Sequence, residues 1–167
     1  MKIISVANQK GGVGKTTTAV NLAAVLASTK RKLLLIDLDS QGNATTASGL
    51  KKENTLLGLF EGKNINEIVA SSNNGYDVIP GGEDLVALEA HIRTEPKKGF
   101  IEESISGLKY DFVIIDTPPA LNSLTVEALI SSVGTLVPLQ CEYYSLEGIS
   151  SLLNTITSLG NRGLSRN

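Results

Sequence analysis

Cysteine is almost absent from this sequence, with Cys141 the single example among 167 residues. One cysteine cannot form an intrachain disulfide, a thiolate metal cage or a two-cysteine redox pair, which excludes those sites. We expect Cys141 to be a small buried residue. A chain of this length buries roughly 70% of its unfolded surface, so a hydrophobic core can stabilise it without a disulfide or a structural metal.

Long apolar runs and a surplus of charge of one sign are also missing. No apolar segment approaches the ~20 residues that a membrane-spanning helix needs, and residues 1–3 lead into a strand-like segment without a signal-peptide pattern. The 15 basic and 17 acidic residues give a net charge of −2, so composition carries no sign of nucleic acid or an anionic membrane as partner. We therefore expect one cytoplasmic globular domain over residues 1–159, followed by a frayed tail at residues 160–167.

The sequence does contain an alternation of short apolar strands and helical segments. The predicted strands are β-branched or leucine-rich runs at residues 2–7, 32–37, 76–79, 112–116 and 135–139. Helical spacing marks residues 15–28, 83–92, 100–108, 123–132 and 146–159, with shorter pieces at 56–60 and 65–70. Continuous apolar strands are typical of sheets that are buried on both faces. We predict an α/β fold with a mostly parallel twisted sheet and helices on both faces.

A glycine-rich segment between the first predicted strand and the first predicted helix indicates a phosphate-binding loop. It reads NQKGGVGKTT at residues 8–17. Glycines let successive backbone N–H groups point inward, and the helix N-terminus adds partial positive charge at the same place. This context predicts a P-loop NTPase fold, with nucleotide held by the following residues. They are Gly11, Gly12, Val13, Gly14, Lys15, Thr16 and Thr17.

The same pattern assigns individual roles and predicts a nucleotide and Mg²⁺ as the bound groups. Lys15 is expected to reach the β- and γ-phosphates, and the Thr16 hydroxyl to bind the Mg²⁺ that bridges them. Lys15 should then be exposed and face the phosphates. Asp116 ends an apolar strand and precedes Thr117-Pro118-Pro119, a Walker B arrangement in which a strand-end carboxylate meets the metal.

The loop departs from the standard Walker A pattern at one place. Gln9 stands where the first glycine should be, and a second lysine, Lys10, follows it. This resembles the deviant Walker A motif of P-loop ATPases that include the ParA/Soj partition proteins, the MinD division-site proteins, the nitrogenase iron protein and the arsenite-pump ATPase. The resemblance implies that Lys10 reaches across an ATP-dependent homodimer to the partner's ATP. The alternative is a solvated loop charge.

An acidic segment, DLDSQGNAT at residues 37–45, follows the second predicted strand. The resemblance implies that Asp39 positions or activates the attacking water, and we place Asp39 with Thr16 and Asp116 in the metal site. Alternation puts Asp37 and Asp39 on one side, and Asp37 either supports the Mg²⁺ hydration shell or caps the loop. The small polar residues at 42–49 predict a mobile active-site loop.

Two further segments, DTPP at residues 116–119 and QCEYYSLEG at residues 140–148, narrow the resemblance to the ParA/Soj branch up to about residue 159. It implies a slow, partner-stimulated ATPase that dimerises on ATP and acts in chromosome or plasmid segregation with a ParB/Spo0J-type centromere-binding protein. A nitrogenase-type partner is disfavoured because one cysteine cannot furnish two thiolates per subunit. A MinD-like division-site ATPase and a truncated, non-catalytic nucleotide-binding module stay open as alternatives.

The sequence stops earlier than the resemblance implies, since ParA/Soj proteins continue with further strands, an adenine-selecting loop and a basic DNA-binding surface. We therefore expect a C-terminally truncated chain that binds non-specific DNA weakly and has no membrane partner. Residues 30–32 are basic, but we predict them at the end of the sheet opposite the nucleotide crevice. Among the basic residues that could contact DNA, only Arg162 and Arg166 then lie near the place where the missing surface would begin. Glu142, Tyr143 and Tyr144 follow the last predicted strand, where a dimer-face role and a core or surface role are equally open.

Overall fold

A six-stranded sheet organises the chain in the computed structural model, which describes residues 1–140 and 145–161. The strands are β1 (Lys2–Val6), β2 (Leu33–Asp37), β3 (Ala70–Ser71), β4 (Asp77–Ile79), β5 (Phe112–Asp116) and β6 (Gly134–Leu136). Their order is β3-β4-β2-β5-β1-β6, and every neighbouring pair is parallel except β3 with β4. The predicted parallel sheet is confirmed. The sequence prediction missed β3 because two residues carry no periodicity.

Eight helices lie within residues 1–140 and 145–161; seven lie between strands, and the eighth follows β6. They are α1 (Lys15–Ser28), α2 (Asn43–Ala47), α3 (Leu56–Phe60), α4 (Ile65–Ile68), α5 (Leu85–Thr94), α6 (Phe100–Ile105), α7 (Ser123–Ser131) and α8 (Ser145–Asn161). None of the helices in the described part of the chain is both long and apolar enough to cross a membrane.

Several helix bounds differ from the sequence prediction by one to three residues, and two differences bear on the predicted loop and the predicted tail. The short helix α2 occupies the segment predicted as a mobile loop, because Gly42 adopts a left-handed φ of 58° and its carbonyl accepts the N–H of Thr46. Helix α8 includes residues 160 and 161, which the sequence assigned to the tail. Residues 162–167 lie outside the described residues, as do Cys141, Glu142, Tyr143 and Tyr144.

The core lies on both faces of the sheet, and β2 shows why. All five of its residues are buried. Leu34 and Ile36 join the apolar cluster that contains α5, α6 and α7, whereas Leu33 and Leu35 join the cluster against α1. Full burial of such side chains contributes about 1.5–3 kcal/mol each. The strand therefore has no solvent face, as its continuous apolar sequence predicted.

A buried acid, Glu127 of α7, caps a neighbouring helix. Its carboxyl oxygens accept the backbone N–H groups of Gly99 and Ile101 at the start of α6, each at 3.2 Å, and the Ser131 hydroxyl at 3.3 Å. Burial raises the pKa of Glu127 to about 7, although these hydrogen bonds favour the ionised form. Glu127 thus satisfies backbone donors that a helix N-terminus leaves without partners.

The register of the sheet places three strand ends together. Asp116 of β5 is level with Val6 of β1 on one side and with Asp37 of β2 on the other. The phosphate loop follows β1, and the acidic segment follows β2. Since the carboxyl ends of parallel strands open on one crevice, the fold brings the predicted site residues to the same edge.

Candidate functional site

The glycine-rich loop curls directly into the N-terminus of α1. Gly12 has a φ of 73° and Gly14 a φ of 90°, a left-handed conformation that glycine adopts far more readily than residues with a side chain. Nothing lies within 4 Å of where a Cβ would stand at Gly11, Gly12 or Gly14. The backbone N–H groups at the start of α1 are therefore open to the close approach of an anion.

Side chains that are distant in sequence hold this loop in place. Asn8 is buried, donates through Nδ2 to the carbonyl of Pro138 at 2.8 Å, and accepts the N–H of Lys10 at 3.0 Å. Gln140 donates through Nε2 to the carbonyl of Gly12 at 3.2 Å. Sequence reasoning missed Asn8 and Gln140 because these contacts join residues about 130 positions apart. The only sequence signal for these two residues was their position, because each directly follows a predicted strand.

Lys15 begins α1 and is buried, with 7% of its surface exposed. Its ammonium donates to the carbonyl oxygen of Lys10 at 3.0 Å. Burial lowers the pKa of Lys15, and the nearby charges of Asp116 and Asp39 oppose that effect. The prediction of an exposed lysine is wrong because the side chain folds back onto its own loop, which removes its methylene groups from water.

Asp116 ends β5 with no exposed surface, and neither of its carboxyl oxygens accepts a well-aligned hydrogen bond. Burial raises the pKa of Asp116 to about 7; the Thr16 hydroxyl and the Lys15 ammonium lower it, while Asp37 and Asp39 raise it. A buried carboxylate without partners is costly. The site is thus electrostatically incomplete, and a cation would complete it.

Magnesium fits the residues that are present. The Asp116 carboxylate and the Thr16 hydroxyl are hard oxygen ligands, and Mg²⁺ is usually held by one or two protein groups together with phosphates and water. Within residues 1–140 and 145–161, no three His, Cys, Asp or Glu side chains converge to hold a metal by themselves. A metal here would therefore share its coordination with a bound ligand.

The two acids that follow β2 are used differently. Asp37 is fully buried; its Oδ2 accepts the N–H and the hydroxyl of Thr45 at 2.8 and 2.7 Å, and its Oδ1 accepts the N–H of Asp39 at 3.0 Å. Of the two roles considered from sequence, these bonds favour the loop cap. Asp39 is half-buried, and its Oδ1 accepts the N–H of Gln41 at 2.9 Å.

The other predicted residues surround this centre with different exposure. Thr16 and Lys10 are half-buried, Thr17 is exposed on the first turn of α1, and Val13 is buried. Lys15, Asp39 and Asp116 influence one another electrostatically. The structure thus brings the predicted phosphate, water and metal residues to the same end of the sheet.

Comparison with known proteins assigns the chain to a family. The AAA domain family (AAA_31) matches residues 1–166. The chromosome partitioning protein ParA of Myxococcus xanthus is 44% identical over 163 residues, a match that covers 93% of this chain and 58% of that protein. The chain belongs to the ParA/Soj family of AAA-domain proteins. This confirms the ParA/Soj resemblance that the deviant Walker A motif and the segments at residues 116–119 and 140–148 indicated together.

Two solved structures are similar to this ParA/Soj chain in three dimensions. A plasmid partition protein from Borrelia burgdorferi is 30% identical with a TM-score of 0.84, over 95% of this chain and 73% of that one. Cobyrinic acid a,c-diamide synthase from Mycobacterium smegmatis, with bound ATP analogue and magnesium, is 32% identical with a TM-score of 0.90, over 96% and 69%. This ParA/Soj chain spans 58–64% of the length of the curated relatives that it matches.

Proposed function

We propose that this chain binds Mg²⁺-ATP and hydrolyses it slowly in a partition cycle. One observation carries the proposal: Asp116 is buried beside Lys15 and Thr16, next to an open glycine-rich loop, and its carboxyl oxygens accept no well-aligned hydrogen bond. A cation would stabilise this buried carboxylate, and an anion would satisfy the open loop N–H groups. A magnesium–triphosphate complex supplies the two together, and the similar Mycobacterium smegmatis structure holds an ATP analogue with magnesium.

The residues of the chain have separate tasks in this reaction. Backbone N–H groups from Gly11 to Thr16 bind the phosphates, and Lys15 contacts the β- and γ-phosphates. Thr16 and Asp116 hold the Mg²⁺, which neutralises charge on the phosphates when it is bound. Asp39 orients the water that attacks the γ-phosphoryl group, and it also borders the metal site.

The assembly around this site is part of the proposal. Two chains dimerise on ATP, and Lys10 of each contacts the ATP of the other, which adds positive charge where negative charge develops. A ParB/Spo0J-type protein stimulates hydrolysis, and non-specific DNA is the surface on which the whole protein acts. The partition proteins among the relatives support this function over a MinD-like one or a non-catalytic nucleotide-binding module.

A binding titration and a phosphate-release assay test the proposal. A fluorescent ATP analogue should bind with Mg²⁺ and lose most of its affinity when EDTA removes the metal. Phosphate release should be slow and should stop in Asp116→Asn, which keeps the volume but removes the charge that holds the cation. Asp111→Asn is the matched control. Asp111 is an exposed aspartate that directly precedes β5, at the end of the strand away from Asp116. Equal activity in the parent and Asp116→Asn would contradict the proposal.

A further inference from the structure

We infer that Thr45 is a positioning residue of the hydrolytic site, which fixes Asp39 by way of Asp37. This inference rests on the proposed function, since it concerns the residue proposed to orient water. Thr45 lies in α2 and has no exposed surface. It therefore acts through its neighbours, without contact to substrate.

The first link joins Thr45 to Asp39 through one carboxylate. The Oδ2 atom of Asp37 accepts both the backbone N–H and the hydroxyl of Thr45, at 2.8 and 2.7 Å. Its other oxygen, Oδ1, accepts the N–H of Asp39 at 3.0 Å. Thr45 thus sets the orientation of the Asp37 carboxyl group, and that group holds the backbone of Asp39.

The second link ties Thr45 to the segment that follows β4. A hydroxyl has one proton, which Thr45 donates to Asp37, and its lone pairs accept the N–H of Gly81 at 2.8 Å. All three groups are buried. Loss of the hydroxyl would leave the Gly81 N–H without its acceptor and would remove one donor from the Asp37 carboxylate. Because buried polar groups without partners are costly, the surrounding backbone should shift in response.

The close fit of Gly81 shows how little freedom this arrangement has. A Cβ at Gly81 would lie 2.6 Å from Cγ of Asp37 and 2.6 Å from the carbonyl oxygen of Asp39. Because β4 is the neighbour of β2 in the sheet, the segments that follow these two strands meet at Thr45. A side chain at position 81 would therefore collide with both the Asp37 carboxyl group and the backbone of Asp39.

The placement of Asp39 matters for rate more than for affinity. A displacement of about 1 Å in a group that orients a reactant can cost up to 100-fold in rate. The loop amides and Lys15, which are proposed to bind the phosphates, lie on a different segment. Thr45 should therefore affect kcat while the affinity for ATP is kept.

Three variants separate this positioning role from a structural one. Thr45→Val removes the hydroxyl at nearly constant volume, and we expect kcat to fall about 10- to 100-fold with the ATP affinity within about twofold of the parent. Thr45→Ser restores the hydroxyl and should restore kcat. Thr46→Val is the matched control, since Thr46 is the exposed neighbour whose hydroxyl bonds to the carbonyl of Gly42. An unchanged kcat in Thr45→Val would overturn the inference.

Amide hydrogen exchange without nucleotide gives a readout that does not depend on activity. The N–H groups of Asp39 and Gly81 should exchange faster in Thr45→Val than in the parent, Thr45→Ser or Thr46→Val. If the parent releases no phosphate, the proposed function fails, and the exchange rates alone decide the inference. Equal exchange in all four proteins would then overturn it.

A second substitution covers the case in which Thr45→Val does not fold, as judged by circular dichroism. Asp37→Asn keeps the volume, but its single oxygen can serve either Thr45 or the N–H of Asp39, and not both. The same fall in kcat at nearly unchanged ATP affinity is expected. A kcat equal to that of the parent would show that the Asp37 link has no positioning role.

Discussion

The ammonium of Lys15 donates a hydrogen bond to the backbone carbonyl of Lys10 at 3.0 Å, so the two lysines of the phosphate loop are joined in the free protein. Lys15 is buried and has a lowered pKa, and this bond satisfies one of its three donors. A phosphate oxygen is a stronger, charge-assisted acceptor than a carbonyl. ATP should therefore replace the Lys10 carbonyl as the partner of Lys15, which couples phosphate binding to the backbone that carries the second lysine.

Lys15→Ala should abolish tight binding of Mg²⁺-ATP. A charge-assisted hydrogen bond contributes about 1.5–3 kcal/mol, so loss of contacts to two phosphates predicts a fall in affinity of at least about 100-fold. Because the side chain is buried, the variant should also lose about 1 kcal/mol of unfolding free energy, through its packed methylene groups. Titration with a fluorescent ATP analogue and urea denaturation measure the two effects. Lys2→Ala, at the exposed start of β1, is the control, and affinity near that of the parent in Lys15→Ala would mean that the site is misassigned.

Asp39→Ala should retain ATP and accumulate an ATP-bound dimer. The substitution removes the group proposed to orient water and leaves the phosphate-binding loop intact. Size-exclusion chromatography with ATP should show a long-lived dimer, and phosphate release should fall by at least about 10-fold. Glu83→Ala, at an exposed position beyond β4, is the matched control. Normal turnover in Asp39→Ala would remove Asp39 from the mechanism.

Lys10→Ala should bind ATP but remain a monomer, in contrast to Asp39→Ala. In the proposed dimer Lys10 contacts the ATP of the partner chain, so its loss should weaken association and spare binding within one chain. The backbone N–H and carbonyl of Lys10 already bond to Asn8 and Lys15, and alanine preserves both. The decisive comparison is the elution volume with ATP, and identical profiles for Lys10→Ala and Asp39→Ala would contradict the two roles.

Glu127→Gln should change how stability depends on pH. Burial raises the pKa of Glu127 to about 7 from an ordinary value of 4.5, so between these pH values the unfolded chain ionises while the folded chain stays protonated. The parent should therefore lose stability as pH rises through this window, by up to about 3 kcal/mol, and no further above it. We expect the unfolding free energy of Glu127→Gln, relative to that of the parent, to be higher at pH 8 than at pH 4.5. Urea denaturation of both proteins at the two pH values measures this difference. An equal difference at both pH values would refute the assignment.

The chain on its own should bind non-specific duplex DNA weakly, even with ATP. Each phosphate contact adds about 0.9 to the log–log salt slope, and stable binding needs several. The basic residues 30–32 are exposed between α1 and the start of β2, at the end of the sheet away from the phosphate loop. The charge of Arg31 is partly offset by Asp111, because Nη1 of Arg31 lies 4.0 Å from Oδ1 of Asp111. Micromolar affinity at low salt with a steep slope would place a DNA surface within residues 1–167. Loss of that binding on charge reversal at residues 30–32 would locate it.

Local pattern predicted the elements of this fold better than the contacts between them. Strand β5 and helix α1 were predicted with the bounds observed, because apolar runs and a glycine loop mark them. The hydrogen bond from Asn8 to Pro138 joins segments that only the folded sheet brings together. Likewise, the burial of Lys15 depends on the curvature of its loop and not on its own identity, and the role of Thr45 depends on Gly81, 36 residues away.

The place of β1 in the sheet has a consequence for the order in which the protein is made. Strand β1 is synthesised before both of its neighbours in the described sheet, β5 and β6, and Val6 pairs with Asp116. The ribosome adds about 5–20 residues per second, so roughly 5 to 20 s pass between the synthesis of Val6 and that of Asp116. During that interval β2 and β4 can already pair, whereas β1, which carries the phosphate loop, still has no neighbouring strand. If the chain binds nucleotide as proposed, we expect the nucleotide to stabilise the fold only after β5 has docked against β1.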